Sequence, residues 1–156
     1  MIRPIEIDDR PEVMKLAEAS GLFKPNELEA VAEVLDACLA GENGPDQHWI
    51  AFDQGELLAV AYYAPEQMSD RVWNLFFIAV RPDQKGKGLG KQIIQYVEES
   101  LSGRGERLLI VETSGLASFE DTRAFYRSCG FEQAGSIRDY YGPGDAKVIF
   151  IKDIAS

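Results

Sequence analysis

The segment Val80-Arg81-Pro82-Asp83-Gln84-Lys85-Gly86-Lys87-Gly88-Leu89-Gly90-Lys91 gathers the residue types that hold phosphate. A buried strand leads into three alternating glycines, and a helix begins where they end. The amide hydrogens of a helix's first turn have no acceptor within the helix and present themselves to an anion. Alternate glycines let the backbone approach a ligand closely. Arg81, Lys85, Lys87 and Lys91 add positive charge, with only Asp83 opposing them. The whole chain carries a formal charge of −10, from 26 acidic against 16 basic residues. A basic cluster on so acidic a protein points to a polyphosphate ligand. Two nucleotide fingerprints do not fit. A Walker loop needs Gly at position 85 and Ser or Thr at 92, where Lys85 and Gln92 stand. A Rossmann fingerprint needs GxGxxG in an early β-α-β unit, whereas the spacing here is GxGxG after a fourth strand.

Other chemistries have little to work with. The chain has one histidine, His48, and two cysteines, Cys38 and Cys129, with no CxxC. That leaves no metal site and no disulfide framework to expect. His48 reads as a satisfied surface histidine beside a strand, and Cys129 as a packing residue in the last turn of a helix. The acidic balance argues against nucleic acid and against an anionic membrane as partners. No apolar run approaches the roughly 18 residues of a membrane span. The opening MIRPIEIDDRPEV lacks a signal peptide's apolar core, so a reducing, cytoplasmic setting is the expectation.

The elements that must position the loop follow from periodicity and punctuation. The chain's 156 residues, 46% hydrophobic and 27% charged, suit one domain over 1–156. Ile2 to Ile7 alternates as a first strand. Asp9, with Pro11 and Glu12, predicts the start of a helix that ends at Gly21. Asn26 with Glu29 predicts a second capping box, and that helix runs through Leu28, Val31, Leu35 and Leu39 to Gly41. Trp49–Phe52 and Leu57–Ala64 form a hairpin around Asp53-Gln54-Gly55-Glu56. Trp73–Val80 (WNLFFIAV) is a central buried strand. A helix from Leu89 to about Leu101 and a strand over Leu108–Thr113 follow. Ser118 with Asp121 predicts a helix through Cys129, closed by Gly130 with Phe131 as the apolar contact beyond it. Strands over Glu132–Tyr140 and Lys147–Lys152 complete the order β-α-α-β-β-β-α-β-α-β-β.

At this point the chain resembles the Gcn5-related N-acetyltransferase (GNAT) superfamily. Lys85-Gly86-Lys87-Gly88-Leu89-Gly90 is similar to the family's [RQ]-x-x-G-x-[GA], with Lys85 in place of Arg or Gln. Thr122 to Phe131, ending in FYRSCGF, looks like the family's helix that closes on (F/L)Y-x-x-x-GF. The order of elements matches over nearly the whole chain. The resemblance implies an α/β fold of the α+β kind: a single N-acetyltransferase domain with a mixed, mostly antiparallel central sheet flanked by helices. It implies acetyl-CoA as acyl donor and no metal. The pyrophosphate would sit on the amides of Lys85, Gly86, Lys87, Gly88, Leu89, Gly90 and Lys91. The pantetheine arm would pair with the backbone of Ile78, Ala79 and Val80, in a splay between the fourth strand and Leu108–Thr113. Homodimers occur in the family, although no interface is legible here.

Acyl transfer to an amine needs a deprotonated amine, a stabilised oxyanion and a leaving thiolate. A backbone N–H at Ile78 or Val80 would hold the oxyanion. Tyr126 matches the family tyrosine that protonates the thiolate. Two positions depart from the pattern. Asn74 stands where some members carry a basic glutamate, and Phe119 where many carry an asparagine touching the cofactor. Glu112, at the end of the next strand, is the nearest alternative base; it would take the proton directly, through water, or hold the ammonium. The late hairpin Arg138-Asp139-Tyr140-Tyr141-Gly142-Pro143-Gly144-Asp145 offers Arg138 and Tyr140 to an acceptor. Arg138 facing a carboxylate, with Glu112 near an amine, suits an amino acid, and the acidic surface suits polyamines. The expected function is transfer of an acetyl group to a primary amine of a small molecule in a ternary complex. The alternative is an acyl-CoA-binding sensor with little turnover; a nucleotide-binding protein is third.

Overall fold

The computed structural model describes residues 1–155. Its elements run β1 (Ile2–Pro4), α1 (Arg10–Ala19), α2 (Pro25–Leu39), β2 (His48–Asp53), β3 (Leu57–Pro65), β4 (Val72–Val80), α3 (Leu89–Gly103), β5 (Leu108–Ser114), α4 (Glu120–Ser128), β6 (Glu132–Gly142) and β7 (Asp145–Asp153). The seven strands form one sheet in the order β1-β2-β3-β4-β5-β7-β6. The β4–β5 ladder is parallel; β1–β2, β2–β3, β5–β7 and β6–β7 are antiparallel. The mixed, mostly antiparallel architecture expected from the sequence is therefore observed. Among the described residues no helix is long and apolar enough to cross a membrane.

Contacts divide the chain into two compact units. The first comprises Met1–Ala64 and Phe77–Tyr96. Its core is made by Val13 and Leu16 of α1, Val31 and Leu35 of α2, Trp49 and Ala51 of β2, Leu57 and Val60 of β3, and Ala79 of β4. The spacing Val31–Leu35 puts both side chains on one helix face, while Trp49 and Ala51 share one face of β2 by the two-residue alternation of a strand. Trp49 stacks on Tyr62 at 4.8 Å between centroids and meets Phe77 edge-on at 5.4 Å.

The second unit comprises Pro65–Phe76 and Val97 onward. The parallel ladder runs Val72–Leu75 against Leu108–Val111, and β5 continues against β7 as far as Ser114↔Lys147. Tyr126 of α4 lies against Phe131 and Phe150, with centroids 5.9 and 6.1 Å apart. Gly130 has φ +91 and ends α4 as expected, and Phe131 beyond it is buried.

Four predicted details differ, and at the start of α1 the reason is that the expected capping side chains find other partners. β1 stops at Pro4, and Ile7–Asp9 forms a 3-10 turn. Asp9 does not cap α1 with its side chain, since its carboxylate accepts two hydrogen bonds from Arg3, at 2.8 and 2.9 Å. Glu12 instead accepts from the Leu57 N–H at 2.7 Å. The cap of α2 is two residues earlier than Asn26: Glu27 accepts from the Lys24 N–H at 2.8 Å, and Pro25 is the first helical residue. α4 begins at Glu120 after a 3-10 turn over Ala117–Phe119, so Ser118 is not its cap.

Arg3 also donates to Asp53 at 2.9 Å, joining β1 to the end of β2. Its hydrogen bonds hold the Asp9 and Asp53 carboxyls below the usual carboxylate range. A folded pKa below the unfolded one gives stability that is complete above the unfolded value, about 4, and is lost as pH falls through the folded value. Arg3→Met is therefore expected to be less stable than the wild type at pH 7, with the gap closing as pH drops below about 4. Urea unfolding of both proteins across that range measures it.

Candidate active site

In the first unit, β4 ends at Val80 and the Arg81 N–H donates to Leu58 O at 2.9 Å, which fixes where the loop departs. A 3-10 turn over Pro82–Gln84 follows. Gly86 and Gly88 have φ +78 and +83, a region that side chains with a Cβ rarely adopt. An added Cβ would meet nothing within 4 Å at either position, so the loop's surface is open there. The first α-helical hydrogen bond of α3 runs from Gln92 N–H to Gly88 O at 3.1 Å. The amides of Leu89, Gly90 and Lys91 precede it and have no intrahelical acceptor. Leu89 is buried and roots the turn, while Lys85, Lys87 and Lys91 are exposed. This is the geometry of an anion cradle at a fifteen-residue helix.

The basic cluster is smaller than the sequence suggests. Arg81 is bound to Asp83 at 2.7 and 3.0 Å and to Glu56 at 3.1 Å. Its charge is spent within the fold, leaving the three lysines. Ile78 and Val80 are half-buried and Ala79 is in the core.

In the second unit, four strands bring together a polar group. Asn74 of β4 is 1% exposed, and its Nδ2 donates to Glu112 Oε1 at 2.9 Å and to Glu66 Oε1 at 2.8 Å. Glu112 Oε2 accepts from Lys147 Nζ of β7 at 2.7 Å. Lys147 sits opposite Ser114, so Glu112 is its diagonal neighbour on the same face. The same ammonium lies 4.1 Å from the ring centroid of Tyr140. Burial works against the Lys147 charge, but the hydrogen bonds to Glu112 and Tyr140 override it and raise its pKa. Tyr141 is pushed up to about 12, mainly by burial, with Lys147 opposing.

Of the predicted site residues, Glu112 and Tyr140 are thus joined, through Lys147. Arg138 is exposed on β6, where the register breaks between Ile137 and Gly142 and Asp139 takes φ +58. The cation on Glu112 is Lys147 rather than a substrate or Arg138. Tyr126 is 6% exposed, and burial raises its pKa, so its phenol keeps its proton at neutral pH. Phe119 ends the turn before α4. His48 is stacked on Tyr63 at 5.0 Å, and Cys38 donates to Gln47 O at 3.2 Å. Among the described residues no group of three or more His, Cys, Asp or Glu could hold a metal ion. Lys147 and Glu66 were missed. Lys147 had one signal, a lysine opening the apolar run of β7, two residue pairs from Glu112 on the neighbouring strand.

A model of the acetyltransferase (GNAT) domain matches residues 44–133. YsnE of Bacillus subtilis, an uncharacterized N-acetyltransferase, is 31% identical over 98 residues, which are 62% of this chain and 64% of that protein. The ribosomal protein bS18-alanine N-acetyltransferase of Escherichia coli is 37% identical over 73 residues, 47% of this chain and 48% of that one. The chain spans about half to two thirds of the length of these curated relatives. A GNAT-family protein from Desulfovibrio desulfuricans has a solved structure with TM-score 0.93 and 28% identity over 99% of both chains. The crystal structure of the E. coli ribosomal-protein-S18-alanine N-acetyltransferase has TM-score 0.79 and 25% identity, over 100% of this chain and 94% of that one. An aminoglycoside 6'-N-acetyltransferase solved with coenzyme A shares the fold, with TM-score 0.77 over 100% of this chain and 98% of that one, at 16% identity.

Gly88→Glu tests the cradle. The positive φ adds a backbone cost of about 1–2 kcal/mol, and the carboxylate repels phosphate at the helix start. Calorimetry with coenzyme A is expected to show binding lost in a variant whose thermal melt remains cooperative. Unchanged affinity would remove this loop from ligand binding.

Proposed function

The chain belongs to the GNAT acetyltransferase family, and on that premise we propose that it is an acetyl-CoA-dependent N-acetyltransferase acting on a primary amine of a small molecule, an amino acid or a polyamine-like cation. The observation that carries the reading is the start of α3. There, free amides, two left-handed glycines and three exposed lysines converge where a Cβ would meet only open space. Those groups fit a pyrophosphate. Acetyl-CoA supplies the thioester from which the acetyl group departs. In this reading the backbone of Ile78, Ala79 and Val80 serves the pantetheine arm, and an N–H of Ile78 or Val80 serves the oxyanion.

The chain's own side chains divide the remaining work. Tyr126, buried and protonated, donates to the thiolate as it leaves. A primary amine with a pKa of about 10 arrives as an ammonium and needs an anion to hold it and an acceptor for its proton. Glu112 has one oxygen on Asn74 and the other on Lys147, the geometry of an anchored anion. Arg138 and Tyr140, both exposed, are offered to the acceptor's other end. The exposed face of Tyr140 suits a cation or an apolar stem.

A second reading, a protein's N-terminal amine, is favoured by the substrate named for the bS18-alanine relatives. A panel of amino acids, polyamines and a peptide with N-terminal alanine, assayed with acetyl-CoA by thiol release, separates the two. Thiol release with none of them, together with tight coenzyme A binding, would support a sensor instead.

Tyr126→Phe keeps the ring against Phe131 and Phe150 and removes only the hydroxyl. With a good acceptor, kcat is expected to fall toward the lower end of the 10²–10⁴-fold range of general acids, about 10²-fold, with KM values little changed. Full wild-type turnover would take Tyr126 out of the mechanism. Glu112→Gln is expected to raise the acceptor's KM more than it lowers kcat. A loss in kcat alone, of 10²-fold or more, would make Glu112 the base.

A further inference from the structure

The first unit carries a second concave feature, whose lining shares no residue with the Val80–Lys91 loop. β1 pairs only Ile2–Pro4 with β2, up to Pro4↔Ile50, so this edge of the ladder stops short of the start of β2 at His48. Past Pro4 the Ile5 N–H still donates to Trp49 O at 3.0 Å, and the chain then turns through Ile7–Asp9. Beside the start of β2 lies an open cleft of about 340 Å³. One wall is Pro4 to Ile7, and another is Cys38 and Leu39 at the end of α2 with Gln47. Tyr96 of α3 flanks it. The walls are fastened from within the fold. The Glu6 N–H donates to Asp9 Oδ2 at 2.7 Å, and the Asp9 N–H donates to Glu6 O at 2.9 Å. The Cys38 thiol donates to Gln47 O at 3.2 Å, and burial raises its pKa, so it adds no charge at neutral pH.

The lining offers apolar surface and one charge. Ile7 is 71% exposed, an isoleucine left to solvent on a turn whose backbone is held. His48 is stacked on Tyr63, its cross-strand partner, and like Tyr96 keeps part of its ring open to solvent. Glu6 is exposed, is the one carboxylate of the lining, and makes no ion pair among the described residues. The lining holds no lysine or arginine. A charge on His48 is met by Asp46, whose Oδ1 lies 3.8 Å from Nε2. An anion would meet Glu6 and a chain of net charge −10. A neutral molecule would leave the carboxylate unanswered. A cation with an apolar body answers both, and an aromatic face such as that of Tyr96 attracts it further. The volume lies at the small end of ligand sites, which run from about 300 to 1,000 Å³. We propose that this cleft binds a small organic cation with an aromatic or aliphatic body, its charged head at Glu6 and its body against Ile7, His48 and Tyr96. All four side chains have surface open to solvent. This inference does not rest on the amine-acetylating reading. The cleft is a site apart from the cradle on the same helix, since Tyr96 stands seven residues, about 10 Å along the axis, beyond Leu89.

The probe is phenethyltrimethylammonium, which has no N–H and cannot be acetylated. It is titrated by methyl NMR into the protein saturated with coenzyme A. Parallel titrations use 2-phenylethanol and 3-phenylpropanoate, which keep the ring and change the charge. The methyls of Ile5, Ile7 and Ile50 are expected to shift together and saturably with the cation. The cation is expected to bind about tenfold more tightly than the alcohol, and the carboxylate more weakly than either. Glu6→Gln leaves the backbone bonds of the turn in place, so it folds. It is expected to cut the cation's advantage over the alcohol by about threefold or more. Ile7→Ser, at an exposed position, is expected to weaken cation and alcohol alike by about threefold or more and to keep their ratio. Cleft methyls that stay still, or that respond equally to cation and alcohol, overturn the proposal. So does a Glu6→Gln protein that keeps the full preference. Shifts confined to residues outside the cleft place the cation elsewhere and overturn it as well. A probe that cannot accept an acetyl group keeps every one of these outcomes independent of the proposed activity.

Discussion

The first amide hydrogens of α3 cannot be satisfied by the helix they begin, and the segment from Val80 to Lys91 is built around that constraint. A helix start buried under other residues would have to cap those groups with a side chain. Gly88, the residue before the helix, has no side chain with which to cap it, and at Gly86 and Gly88 the backbone has positive φ with open space beside it. Leu89 is then buried as the first residue of the helix, which keeps the turn from fraying. The amides of that first turn are left to a ligand or to solvent.

Charge is distributed to serve that constraint. Arg81 would be the strongest phosphate ligand of the segment, yet Asp83 and Glu56 hold it at 2.7 and 3.1 Å. Its guanidinium instead fastens the loop to the β2–β3 turn within the first unit. What remains for a ligand is backbone amides and three exposed lysines. Point charges on flexible stems attract a polyphosphate without demanding one geometry of it, and the amides supply the geometry.

The sequence made most of the fold legible because its signals were redundant. The apolar run Trp73–Val80, the glycines at 86, 88 and 130, and the Asp53–Glu56 turn each combine composition with punctuation, and each falls in the element expected, although the run is buried through Trp73–Leu75 and at Ala79 while Phe76 is exposed and Phe77, Ile78 and Val80 are half-buried. Helix starts were less legible. A carboxylate three residues from another polar side chain reads as a capping box, but Asp9 is taken by Arg3, six residues back in the preceding strand, and Glu12 by the Leu57 amide, 45 residues on, which no local window contains. The same limit governs the site. Glu112 and Tyr140 were found from position along the chain, whereas the lysine that joins them depends on the register of β5 against β7. Asn74 read as a lost base, since a local comparison sees only what an amide cannot do. Its value lies in the two donors it offers to residues 8 and 38 positions away.

That amide changes how the departure from the family pattern is understood. A glutamate at position 74 would be a third carboxylate against Glu66 and Glu112, with Lys147 bound to Glu112. Three like charges in a half-buried group repel strongly enough that one of them would have to hold a proton. Asparagine is one methylene shorter, carries no charge, and supplies two hydrogens where the glutamate would supply charge. It converts repulsion between Glu66 and Glu112 into two hydrogen bonds and keeps both carboxylates available. The substitution and the surrounding acids are therefore parts of one arrangement: the acids are tolerable because the residue between them is neutral, and the neutral residue is useful because the acids flank it.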